Sequence, residues 1–143
     1  MALIVSKVGI RPRPLVLVVE DDRDSREMYA ELLAHSGFRV AEAADAPNAL
    51  QKIRERRPDI ITADMGLPGL DGYELCILLK GDERTKEMPI IAVTAWAMKD
   101  EVEKAKLAGC DSVLTKPCLP QDLVAEIQRL LKLTAENAEK VKE

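Results

Sequence analysis

The chain has 143 residues, 47% of them hydrophobic and 32% charged, with a net charge of −4. That length fits one domain with a core large enough to stand alone. The acidic balance gives no general attraction for nucleic acid, no apolar stretch is long enough to span a bilayer, and nothing at Met1 reads as a signal peptide.

These exclusions describe a cytoplasmic globular protein. Phe38, Tyr29, Tyr73 and Trp96 are its only aromatics, so the core must be aliphatic. Cys76, Cys110 and Cys118 show no CxxC spacing and make no zinc pattern with the single His35. They read as small buried hydrophobes in a reducing compartment.

Residues 1–14 carry Lys7, Arg11 and Arg13 unopposed by any acid, and Arg11-Pro12-Arg13-Pro14 resists regular structure. A disordered leader is expected there. From Leu15 an alternation begins. A β-branched strand at 15–20 leads to a helix at 23–36, with Met28, Leu32 and Leu33 on its apolar face and Gly37 as its stop. His35, in the last turn, faces the helix dipole and water. A strand at 38–43 precedes a helix at 46–57, opened by Asp45 and Pro47. Its Arg54-Glu55-Arg56-Arg57 run reads as a solvated end.

A strand at 59–63 is followed by the loop Asp64 to Leu70, and Asp71 can cap a helix reaching Lys80. The remaining elements are a strand at 89–94, a helix at 98–108 ended by Gly109, a strand at 111–115 and a helix at 119–133. In the last, Leu119, Leu123, Ile127, Leu130 and Leu131 follow the helical period. Residues 134–143 form a charged tail, helical or frayed. Five strands alternating with five helices predict an α/β fold with one doubly wound parallel sheet over 15–133.

The chemistry lies at the strand ends. Glu20-Asp21-Asp22, Asp64, Thr94 and Lys116 each close an apolar run, and open α/β sheets collect function at those carboxyl ends. A Glu-Asp-Asp loop repels a bare phosphate where nucleotide binders place glycines. Carboxylates beside Asp64 suit Mg²⁺ instead. Helix-dipole complementarity accounts for Asp22 and Asp24 but leaves Asp64 and Lys116 unexplained. Asp64 as nucleophile toward phosphorus, Glu20 and Asp21 as metal ligands, Thr94 as hydroxyl donor and Lys116 as cation fill every role of aspartyl phosphorylation.

The stretches Val-Leu-Val-Val-Glu-Asp-Asp (16–22), Asp-Met-Gly-Leu-Pro-Gly-Leu-Asp-Gly (64–72), Val-Thr-Ala (93–95) and Leu-Thr-Lys-Pro (114–117) resemble the receiver domain of bacterial two-component response regulators. The resemblance covers residue 15 to about residue 133. It implies a flavodoxin-like sheet of order 2-1-3-4-5, with Asp64 accepting a phosphoryl group from a histidine kinase or phosphotransfer protein. It also implies Mg²⁺ held by Asp21 and Asp64, by the Gly66 carbonyl, and by Glu20 through water. Asp22 ranks lower. A cis peptide before Pro117 is implied, as is a partner-reading face formed by the fourth helix, fifth strand and fifth helix, on a monomer or weak dimer.

Ala95, Trp96, Val113 and Pro117 are the expected switch and output positions. Val113 stands where the family usually has an aromatic, which makes Trp96 the candidate substitute reporter or a lid over the site, with a partly exposed aromatic of a partner-binding surface as the alternative. Cys118 likewise replaces a common aromatic. Gly66 lacks the side chain often found there, and also lacks the second Asp that a haloacid dehalogenase-type phosphatase needs. The expected output is protein contact or onward phosphotransfer, with no direct nucleic acid or membrane partner. The only expected activities are self-catalysed phosphotransfer and autodephosphorylation. The alternatives are a receiver fragment of a hybrid kinase or multidomain regulator, and a non-phosphorylated pseudo-receiver.

Overall fold

The computed structural model describes residues 4–6, 9–11, 13–95 and 98–142, with side chains over 13–95 and 98–137. Among them are seven strands and five helices. Strands β1 (Ile4–Ser6) and β2 (Gly9–Arg11) pair antiparallel in a small separate sheet. This corrects the expectation of a leader without regular structure. Ile4, Val5 and Ile10 are strand-forming residues, and the proline-arginine stretch that prompted the expectation begins only at β2's end.

The main sheet contains β3 (Leu15–Val19), β4 (Arg39–Ala43), β5 (Ile60–Asp64), β6 (Ile90–Thr94) and β7 (Ser112–Thr115). All are parallel, in the order β4-β3-β5-β6-β7, which is 2-1-3-4-5 within this sheet. Alternate residues serve two cores, as the two-residue period of a strand dictates. Leu17, Val19, Ile61, Ala63, Ile90 and Ala92 face a core shared with α2 (Ala46–Glu55), α3 (Gly72–Lys80) and α4 (Lys99–Leu107). Val16, Val18, Ile60, Ile91 and Val93 face α1 (Arg23–His35) and α5 (Pro120–Lys142). β3 is buried at every position, which explains its unbroken run of apolar residues.

The starts of α1, α2 and α3 are set by side-chain caps. Asp22, Asp45 and Asp71 accept from the backbone N–H of Ser25, Asn48 and Glu74 at 3.0, 2.8 and 2.9 Å. At the opposite edge, carboxylates tie strand starts together. Asp59 accepts from the N–H of Leu15 at 2.7 Å, and Asp111 from that of Ile90 at 2.8 Å and from Lys80 Nζ at 2.9 Å. Gly109 ends the α4 region at φ +103°, where a side chain would be strained.

Two packing expectations need correction. α1 buries Tyr29, Ala30 and Leu33, leaving Met28 exposed, because the buried stripe is rotated from the one the leucines suggest. Leu119 is also exposed, since it precedes α5. α5 itself continues to Lys142, so the tail is helical.

Candidate functional site

The parallel register delivers Glu20, Asp64, Thr94 and Lys116 to one edge. β3 ends at Val19, so Glu20 is the first residue beyond it, and its N–H donates to the Ala43 carbonyl at 3.0 Å. Asp64 closes β5 opposite Val93, and Thr94 closes β6 opposite Thr115. Lys116 follows β7, its N–H donating to the Thr94 carbonyl at 2.8 Å. The Lys116-Pro117 bond is cis.

Lys116 Nζ lies 2.6 Å from Glu20 Oε1 and 3.4 Å from Asp64 Oδ2. Glu20 is 2% exposed, Asp64 and Lys116 are half-buried, and Asp21 is exposed. Gly66 donates its N–H to Asp64 Oδ1 at 3.0 Å, while Met65 and Leu67 are buried and anchor the loop. Gly72 lies directly below: a Cβ there would sit 2.5 Å from the Asp64 carbonyl oxygen and 2.7 Å from Met65 Cα. The loop closes on α3 only because this position has no side chain.

The charges are not balanced by protein alone. Burial, then the Asp64 carboxylate, push Glu20 up to about 7 against the pull of Lys116. Burial also works against the Asp64 carboxylate, but the Glu20 carboxyl, the Gly66 N–H and Lys116 outweigh it and hold Asp64 below the usual range. Lys116 is opposed by burial and held above its ordinary value by Glu20 first and Asp64 next. Asp64 is therefore the more readily ionised member of the pair, and Glu20 carries the strain of the cluster.

Glu20, Asp21 and Asp64 each offer an oxygen within 4.8 Å of the others. Glu20 Oε2 is buried with no hydrogen-bond partner. Three carboxylates against one ammonium, with an orphaned buried oxygen, fit a hard divalent cation. Asp22 is otherwise engaged, its carboxylate taking the N–H and hydroxyl of Ser25 at the start of α1.

Of the other expected positions, Ala95 and Pro117 are exposed, and Val113 packs against the α2-α3-α4 side of the core. Trp96 lies outside the described residues. Arg26 escaped the sequence reading. Its guanidinium donates to the Glu20 carbonyl at 2.9 Å and approaches Glu42 at 3.6 Å, tying the acidic loop to α1 and β4. The only sequence signal was a cation one turn into the helix after the acidic run. Tyr73 escaped it as well. The Tyr73 hydroxyl donates to Glu101 at 2.6 Å and Lys104 Nζ sits 4.3 Å from the ring centroid, latching α3 to α4.

A doubly wound sheet with this acidic pocket and lysine is the architecture of a phosphoacceptor switch. Residues 16–128 match the family model for the response regulator receiver domain, so the chain belongs to that family. It is 39% identical over 119 residues to the phosphate regulon transcriptional regulatory protein PhoB of Pseudomonas aeruginosa, covering 83% of this chain and 52% of that protein. The chain thus spans about half the length of PhoB. It is 36% identical over 102 residues to the polar-differentiation response regulator DivK of Brucella anthropi, covering 71% of this chain and 83% of DivK. The structure of the Vibrio cholerae chemotaxis protein CheY4 superposes with a TM-score of 0.79 at 30% identity, covering 82% of this chain and 98% of that one.

The fold is accordingly the flavodoxin-like receiver fold, and the domain is a phosphorylation-dependent switch of the two-component type rather than a conventional enzyme. Receiver domains bind Mg²⁺ at an acidic site, take phosphoryl groups from histidine kinases and signal to downstream targets. Among the described residues no helix is long and apolar enough to cross a membrane.

Proposed function

We propose that Asp64 is the phosphoacceptor of this switch. The observation that carries the reading is the placement of its carboxylate. It stands at the end of β5, with the Gly66 N–H on one oxygen and Lys116 Nζ facing the other. An Asp64 oxygen attacks the phosphorus of a phosphohistidine, the P–N bond breaks with its electron pair going to the imidazole nitrogen, and an acyl phosphate forms. Asp21 and Asp64, with the Gly66 carbonyl and Glu20, would hold Mg²⁺, which when bound neutralises phosphoryl oxygens. Lys116 supplies a second cation, and the Thr94 hydroxyl donates to a third oxygen.

Lys116 rests against Glu20 at 2.6 Å and reaches toward Asp64 at 3.4 Å. A phosphoryl group adds roughly −1.5 to −2 charges, drawing the ammonium across and Thr94 with it. The loop after β6 and α4 follow as a shift between two populations, limited by the differential contacts of the phosphate. Val113 is aliphatic and packed inward, so the change reaches partners on the α4-β7-α5 face without an aromatic flip at that position. Exposed Gly66 leaves a path for water, and autodephosphorylation is attack of that water on the acyl phosphate. We place the domain in the cytoplasm, as a monomer or weak dimer.

Transfer from a phosphorylated histidine phosphotransfer protein tests the reading. Label should move to this chain in Mg²⁺, and Asp64→Asn should abolish the transfer. Undiminished transfer to Asp64→Asn would place the acceptor elsewhere.

A further inference from the structure

At the edge of the sheet opposite the phosphorylation site, α2 and the connection after α3 enclose a groove of about 300 Å³. Its floor is apolar, built from Leu50, Ile53 and Leu79, and its rim carries Arg54, Arg57 and Arg84. The Arg54-Glu55-Arg56-Arg57 run reads in sequence as a mere solvated helix end, but its members diverge. Glu55 accepts from Gln51 and lines a different cleft with Arg56, while Arg54 in the last turn of α2 and Arg57, two residues past its end, both line the groove.

The rim is only partly compensated. Asp82, the one acid lining the groove, is taken by Arg84 at 3.0 Å. Among the described residues, Arg54 and Arg57 have no carboxylate within ion-pair distance. Arg57 is held in place by two carbonyls, donating to those of Arg84 at 3.1 Å and Pro58 at 3.3 Å, so its fork is fixed at the rim. Two guanidinium groups without a carboxylate partner beside apolar side chains, on a chain of net charge −4, select for carboxylates attached to an apolar body.

We propose that this groove is a docking site for an acidic amphipathic segment of a partner protein. Its aliphatic side chains seat on Leu50, Ile53 and Leu79, and its carboxylates meet Arg54 and Arg57. The five residues of β5 separate the groove from Asp64 by roughly 15 Å. None of the residues placed in the switch lines it. Docking here is therefore independent of phosphorylation, and tethers the domain while the α4-β7-α5 face remains free to signal.

The probe is a fluorescein-labelled amphipathic peptide of Glu and Leu, read by anisotropy at fixed ionic strength. Controls are the same peptide with Lys for Glu, and an oligoglutamate without Leu. Saturable binding of the Glu-Leu peptide is expected, at least tenfold weaker to Arg54→Glu, with amide shifts confined to α2 and to residues 79–85. Affinity should be the same with and without Mg²⁺ and beryllofluoride. No saturable binding, equal binding of the Lys peptide, equal binding of oligoglutamate, an unchanged affinity in Arg54→Glu, or shifts centred on α4 and α5 would each overturn the proposal. None of these results bears on whether Asp64 is phosphorylated.

Discussion

Raising the pH from 6 to 8 should tighten Mg²⁺ binding and, in the metal-free protein, cost stability. Both effects arise from Glu20. Its carboxyl is buried beside Asp64 and titrates at about 7 instead of the ordinary 4.5. A proton on Glu20 must leave before the cluster can take the cation, so apparent affinity improves about tenfold from pH 6 to pH 8 and then levels. The metal-free stability runs the other way. Between about 4.5 and 7 the folded chain binds more protons than the unfolded one, so stability falls as pH rises through that window. For a nearly fully buried group, the displacement amounts to at most about 3 kcal/mol. Calorimetric titration with Mg²⁺ at constant ionic strength measures the first effect, and urea unfolding in EDTA the second. Glu20→Gln should flatten both profiles. A pH-independent Mg²⁺ affinity in the wild type, or a slope that survives in Glu20→Gln, would refute the assignment of the cluster's strain to Glu20.

Lys116→Ala should leave Asp64 open to labelling while abolishing the phosphorylation-induced gain in partner affinity. Equal gains in labelled mutant and labelled wild type would contradict the role given to the ammonium. Gly72→Ala forces a methyl against the Asp64 carbonyl at 2.5 Å. It should destabilise the fold by about 1–3 kcal/mol and weaken Mg²⁺ binding through the displaced loop, both read on one sample. Asp111→Ala removes the acceptor for the Ile90 N–H and for Lys80. Urea unfolding should show a loss of about 2–3 kcal/mol, with phosphorylation intact.

The strand ends were legible in the sequence because a parallel sheet sends every carboxyl terminus to one edge. Four apolar runs, each closed by a polar residue, were enough to bring Glu20, Asp64, Thr94 and Lys116 together. What the pattern could not supply was pairing at long separation. The 2.6 Å contact of Lys116 with Glu20 spans 96 positions, and burial beside Asp64 raises the Glu20 carboxyl against the pull of that contact. Cys76 and Cys110, which looked like unrelated small hydrophobes, are buried with their sulfurs 3.3 Å apart, because α3 and the start of β7 meet behind the sheet. Tyr73 reads as one more apolar residue of α3 until α4 brings Glu101 to its hydroxyl. Helix faces were legible only to within a residue, as Met28 shows, because a short amphipathic stripe can rotate to bury Tyr29 instead.

The most direct test is intact mass after incubation with acetyl phosphate and Mg²⁺, alongside an EDTA-treated sample and an Asp64→Ala variant. The account predicts one added phosphoryl group on the wild type in Mg²⁺ and none in either control. No addition to the wild type at early times, or an addition that persists in Asp64→Ala, would contradict it.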